Sequence, residues 1–245
     1  MKISGFINFI TKLWQTILVK YFLQSCLILT ILTVIGYVIT FAWVFCYLPD
    51  DITQGNLVKI MYIHVPCAWL SLSSYIILGI CSVLSLLYND KVYSILTKVT
   101  TIISLHTCFI TLLTGMIWGK AAWGTWWLWD PRLTAVFIQF CLLVICYMLR
   151  NVSDMNSTLE QASDLVTVIG LINMPIIKFA VNAWNSIHQD SSVLRFDGVK
   201  IHPDLLYPLL ISFISILCFY LLVGIIMAKN SLDDLKIQKL IRRYL

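Results

Sequence analysis

The chain has 245 residues, 60% hydrophobic and 12% charged, with a mean hydropathy of +0.88; a water-soluble fold of that composition would expose large apolar patches, so its solvent is lipid. The net charge of +5 is spread over the ends of apolar stretches instead of being clustered, which excludes a nucleic-acid surface and fits membrane anchoring. The eight cysteines (Cys26, Cys46, Cys67, Cys81, Cys108, Cys141, Cys146, Cys218) lie in or beside apolar stretches, form no C-x-x-C pair and read as small buried hydrophobes. That disfavours a disulfide framework or a zinc site and leaves room for at most one pairing between helix ends.

A membrane-spanning helix takes roughly 20 mostly apolar residues. Six windows qualify: 22–48, 60–88, 101–118, 133–149, 165–184 and 205–227. The fold class expected is therefore an all-α integral membrane protein of six transmembrane helices, forming one domain over 1–245. The first window is too long for a signal-peptide core and lacks a small-residue cleavage site, so it reads as an uncleaved anchor. The fifth is the least apolar, with Asn173, Pro175, Lys178 and Asn182, so its inner face is expected to meet other helices or water. After the sixth, residues 229–245 alternate charge with Leu and Ile, as in an amphipathic helix lying on an anionic membrane surface.

Lys and Arg set the orientation. With both termini inside, eleven of them, Arg150 included, fall in inner segments, against five (Lys59, Lys120, Arg132, Arg195 and Lys200) outside. Both termini are expected on the cytoplasmic side, and 49–59, 119–132 and 185–204 on the outer face.

The second outer stretch, with its flanks, spans 118–134 and holds five of the nine tryptophans within twelve residues: Trp118, Trp123, Trp126, Trp127 and Trp129. Two readings compete. An aromatic belt uses the preference of Trp for the headgroup level but scatters its rings over many helix ends. A ligand platform concentrates them in one connection, as here. On a helical projection of about 100° per residue, Trp118, Trp126 and Trp129 share one face and Trp123, Trp127 and Asp130 another, although Gly119, Gly124 and Pro131 interrupt a continuous helix.

His64 stands four residues into the second window, at a depth of about 6 Å at 1.5 Å per residue, and His188 follows the fifth window at the same face. Two imidazoles at the level of the tryptophans fit bis-axial ligation of one haem iron, and equally fit two hydrogen-bonded interfacial histidines. His106 lies about 18 Å below Trp118 at that rise and reads as a helix-to-helix hydrogen bond. His202 is level with the site but uninformative. Arg132, Lys120 and Lys59 are candidate partners for haem propionates, Arg132 foremost because it binds carboxylates in two-pronged fashion. Asp130 either holds Arg132 or caps the fourth helix, capping being the better-supported reading. Lys178 stays outside the site because its stem can snorkel. Gly115-Met-Ile-Trp-Gly119-Lys120-Ala121 is one residue short of a phosphate-binding loop, and no G-x-S-x-G, H-E-x-x-H or dinucleotide fingerprint occurs.

The run Trp118-Gly-x-x-x-Trp123-Gly-Thr-Trp126-Trp127-x-Trp129-Asp130-x-Arg132-Leu-Thr134 resembles the signature of the tryptophan-rich haem-handling proteins of cytochrome c biogenesis. With Tyr-Ile-His64-Val-Pro at the second helix and Trp-Asn-x-x-His188-Gln after the fifth, the chain is most similar within that superfamily to the cytochrome c maturation protein C (haem exporter protein C) family. The resemblance implies a protein, not an enzyme, that binds haem b non-covalently and transiently at the outer face of a bacterial or mitochondrial inner membrane. His64 and His188 are its implied axial ligands, with the tryptophans, Asp130 and Arg132 around them. It further implies delivery to a membrane-anchored haem chaperone, beside a small single-span accessory subunit and an ABC transporter made of an ATPase and a second membrane subunit. The alternatives are a cytochrome c synthase component and a haem permease.

Overall fold

The computed structural model describes the backbone of residues 2–52, 54–152, 157–184, 186–188, 192–193 and 198–244, with side chains from residue 20 onward except at 157, 239 and 242–244. Asn185, Gln189 and Arg195, and the side chains of Lys2, Lys12, Lys239, Arg242 and Arg243, lie outside the described residues. Among the described residues seven α-helices follow one another: α1 (Lys2–Cys46), α2 (Met61–Tyr88), α3 (Lys91–Trp123), α4 (Pro131–Val152), α5 (Ser157–Gly170), α6 (Asn173–Ala183) and α7 (Pro203–Tyr244), with a 3-10 turn (Asn56–Ile60) leading into α2. Six stretches are long and apolar enough to cross a membrane, and this is a multi-pass membrane protein. Six crossings put both termini at one end of the bundle and the connections after α1, α3 and α6 at the other, termed here the loop face.

The fifth crossing is longer than the 165–184 window and is built from two pieces, Thr158–Ala183 overall. Pro175 explains the break. It has no N–H for the carbonyl of Leu171, its ring would clash with that carbonyl, and α5 stops at Gly170 just before it. As expected of this segment, part of it meets another helix: Asn173 is buried and donates to the Ala135 carbonyl (2.8 Å) and to Gln139 Oε1 (3.2 Å) of α4, whereas Lys178 is half-buried and Pro175 and Asn182 are exposed.

Pro66 lies within α2 without breaking it. The carbonyl of Tyr62, which a proline cannot serve, accepts the Ser212 hydroxyl of α7 instead. The first turn of α2, where His64 sits, is thereby tied to α7, and the Tyr62 hydroxyl adds a long bond to the Leu205 carbonyl (3.5 Å). Val44, Met61, Tyr62 and Leu209 form the buried core under this end of the bundle, with Trp118 packed against it.

Two expectations change, for the tail and for the cysteines. The tail does not lie separately on the surface, because α7 continues unbroken through Tyr244. Its Ala228 and Leu232 are buried against Ile95 and Val99 of α3, so apolar packing on α3 outweighs the pull of the interface. Arg150, counted among the inner charges, is 6% exposed, pairs with Asp164 and donates to Thr97 Oγ1 at 2.8 Å. The cysteines are all free but only Cys67, Cys108, Cys146 and Cys218 are buried, while Cys46 and Cys141 are exposed on apolar helix surfaces where lipid serves as well as protein.

Candidate functional site

The last turns of α3 organise the loop face. Glycine-free until Gly115, the helix runs through Gly119 and ends at Gly124, whose φ of +77° makes the left-handed C-cap that other residues rarely adopt. Gly119 is needed for a different reason: a Cβ there would stand 2.9 Å from Cε3 of Trp123, whose ring folds back along the helix. Lys120 donates to the Gly124 carbonyl (2.8 Å), stabilising the helix end. Its ammonium therefore serves the backbone, and Lys59 is likewise engaged, with Asp50 (3.0 Å) and over the Phe45 ring (5.5 Å).

The helical projection of the tryptophan run does not survive. Beyond Gly124 the chain is non-helical until Pro131, so the five rings do not form two faces of one helix. They divide in three. Trp118 and Trp123 belong to α3. Trp127 is half-buried, edge-on to Phe137 of α4 (5.8 Å) and to Trp129 (5.6 Å). Trp126 (55% exposed) and Trp129 (74%) stand out from the surface.

Each of the two histidines meets one α3 tryptophan. His64 and Trp118 contact edge to face with centroids 5.6 Å apart, and His188 and Trp123 are tilted at 5.0 Å. The two tryptophans are five positions apart on α3, about 7.5 Å of helix rise. The structure thus brings the histidines from the α2 start and the post-α6 segment to a common support.

Asp130 connects the parts. It is 6% exposed, and its carboxylate accepts from the Arg132 N–H (3.1 Å) while its carbonyl accepts from Thr134 N (2.9 Å), with Pro131 at the first helical position. The capping expectation holds. The same carboxylate also reaches across to the His188 segment, accepting the Ser186 hydroxyl (2.9 Å to Oδ1) and the Ile187 N–H (3.3 Å). Ser186 Oγ in turn accepts the His188 N–H at 3.1 Å. His188 Nδ1 is buried, lacks a hydrogen-bond partner among the described residues, and lies 4.0 Å from Asp130 Oδ1, too far for a bond. Burial first, then the Arg132 charge, push this imidazole down to about 4, with Asp130 partly opposing them. It is neutral at pH 7, as a metal ligand must be.

His64 is half-buried with Nδ1 3.1 Å from Thr114 Oγ1. Trp118 donates its indole N–H to Gln54 Oε1 (2.5 Å), so the loop after α1 holds the ring that His64 rests on. Of the remaining histidines, His106 bonds the Tyr220 hydroxyl of α7 (2.6 Å) as anticipated, and His202 is exposed at the start of α7 beside Asp204 (3.5 Å). Neither joins the group. Thr114, Gln54 and Ser186 went unnoticed in the sequence; Thr114, four residues before Trp118, is on the same helical face, and Ser186, two before His188, fits a local serine turn.

The pair of imidazoles, each with Nδ1 facing a protein oxygen and resting on an indole, is suited to holding a flat metallated macrocycle through Nε2. Residues 10–243 match the family model described as CcmC, heme exporter protein C. The chain is 36% identical over 192 residues to the heme exporter protein C of Bradyrhizobium diazoefficiens, covering 78% of this chain and 73% of that protein. It is 41% identical over 177 residues to a ccmC-like mitochondrial protein of cytochrome c biosynthesis from Marchantia polymorpha, covering 72% and 73%. To the heme exporter protein C of Escherichia coli K12 it is 34% identical over 167 residues, or 68% of each chain.

Proposed function

This chain belongs to the heme exporter protein C family of cytochrome c maturation, and from that premise we propose that it holds haem b at the outer membrane face, between His64 and His188, for delivery to a membrane-anchored haem chaperone. The observation that carries the reading is the pair of histidines, His64 from α2 and His188 from after α6, each with Nδ1 toward Thr114 or Asp130 and each against a tryptophan of α3. Haem is cargo here, and it brings only an iron open to two axial nitrogens. The chain's own residues do the rest: His64 and His188 ligate, Trp118 and Trp123 set the ring planes, and Asp130 with Ser186 keeps the His188 segment against α4. Arg132, half-buried beside His188, is the propionate partner. The exposed Trp126 and Trp129 offer an aromatic surface to the edge of the macrocycle and to the chaperone.

The loop face is outward in this reading, with both termini cytoplasmic, in a bacterial or mitochondrial inner membrane. The protein works beside the ABC transporter ATPase, its second membrane subunit and a small single-span subunit, and it forms no covalent bond itself.

Haem-loaded protein in detergent, mixed with purified haem chaperone, is expected to lose its haem to the chaperone, read as co-elution of the chromophore on size separation. Apocytochrome c added without the chaperone should gain no thioether-linked haem. If thioether bonds form with the chaperone absent, the protein is a synthase component; if haem remains with the protein in both mixtures, delivery is refuted.

A further inference from the structure

The contact between His64 and Thr114 determines more than position. The Thr114 hydroxyl has one hydrogen, and three groups surround its oxygen: the Ile110 carbonyl at 2.6 Å, the Thr111 carbonyl at 3.3 Å and His64 Nδ1 at 3.1 Å. Carbonyls only accept, and two oxygens 2.6 Å apart with no hydrogen between them would repel, so the hydroxyl hydrogen goes to Ile110. The hydroxyl oxygen is left as an acceptor, and the only donor Nδ1 can present to it is its own N–H. A neutral imidazole protonated at Nδ1 carries its lone pair on Nε2.

Residue 115 makes room for this. A Cβ on Gly115 would stand 3.0 Å from His64 Cε1 and 3.5 Å from Nδ1, so anything larger than glycine crowds the ring that reaches Thr114. One turn of α3 thus contributes three contacts to the same imidazole: a hydrogen-bond acceptor at 114, an open space at 115 and an indole edge at 118.

We propose that Thr114 is the positioning residue for His64, holding it in the Nδ1–H tautomer so that Nε2 is the nitrogen offered to haem iron. The inference deepens the reading of His64 as a ligand and rests on it. Its chemistry is the usual outer partner of a metal-bound histidine, supplied here by a helix hydroxyl instead of a carboxylate or a backbone carbonyl.

The test uses the full-length protein in detergent, labelled with nitrogen-15 histidine and free of haem, at a pH where imidazole is neutral; the His64 signals are identified by their loss in His64→Ala. Wild type and Thr114→Ser should show a protonated Nδ1 and a bare Nε2, and Thr114→Val, which keeps the shape and removes the hydroxyl, should lose that preference. After loading, Thr114→Val should retain haem on the order of 10-fold less well than wild type, with Thr114→Ser close to wild type. A tautomer unchanged in Thr114→Val, or a wild-type His64 protonated at Nε2, overturns the proposal. Rescue by serine separates it from a general packing defect, which either substitution would cause. Failure of the ligand reading shows differently: His64→Ala then keeps the full haem spectrum, whatever Thr114 does to the tautomer.

Discussion

Asp130→Ala is expected to lower stability by about 3 kcal/mol and to reduce haem retention at least as much as loss of a histidine ligand. The carboxylate is 6% exposed and accepts from the Arg132 N–H, the Ser186 hydroxyl and the Ile187 N–H. Loss of a helix cap costs about 0.5–2 kcal/mol, and hydrogen bonds to a charged acceptor about 1.5–3 kcal/mol each, so 3 kcal/mol is a low sum that allows for relaxation. The functional effect should exceed the stability effect, because Ser186 Oγ also receives the His188 N–H and the ligand segment is released with it. Asp130→Asn keeps an oxygen acceptor and should sit between alanine and wild type. Thermal unfolding in detergent and haem content after purification check both arms. If Asp130→Ala retains wild-type haem content, Asp130 does not position His188.

Arg150→Ala and Asp164→Ala should each destabilise by about 3–5 kcal/mol, since removing one partner leaves a buried charge with nothing to neutralise it. Arg150 is 6% exposed and Asp164 1%, and Thr97 of α3 accepts from the same guanidinium, so the pair joins α3, α4 and α5 at the end of the bundle opposite the site. The double variant Arg150→Met with Asp164→Leu tells the mechanism. Desolvating two charges nearly offsets their attraction, so apolar replacements of similar size should recover most of the loss. Denaturant unfolding of the three variants reads this directly. A double variant as unstable as either single one would mean that the attraction far exceeds desolvation, and additive losses would mean that the two charges do not interact.

The spans were legible because apolar composition and length are local properties, and the Pro175 irregularity showed in the sequence as a poor window. What escaped was the reach of helices past the apolar core: α3 begins ten residues before its window and α7 carries the tail with it, because helical hydrogen bonding and contacts such as Leu232 with α3 continue where hydropathy falls. His64, His188 and Asp130 were legible as residue types beside a tryptophan-rich run. Their arrangement was not. Treating 118–130 as one helix put Trp126 and Trp129 with Trp118, whereas the left-handed turn at Gly124 sends them outward and leaves Trp118 against the core. The outer partners Thr114, Gln54 and Ser186 come from three different segments, and only folding reveals that they converge.

Those partners shift the weight of the site. In the sequence the tryptophan run offers a ligand platform, yet two of its rings support histidines, one packs on α4 and two face outward. The proposed ligands His64 and His188, and the groups that orient them, define what the site can hold.

The most direct test of the account is the absorption spectrum of the purified, haem-loaded protein with His64→Ala and His188→Ala compared with wild type. Wild type should show the bands of a six-coordinate, low-spin haem between two imidazoles. Each single variant should lose the chromophore or shift to a five-coordinate or water-ligated spectrum. If both single variants kept the full wild-type spectrum, the two histidines would not be the ligands and the account would fall.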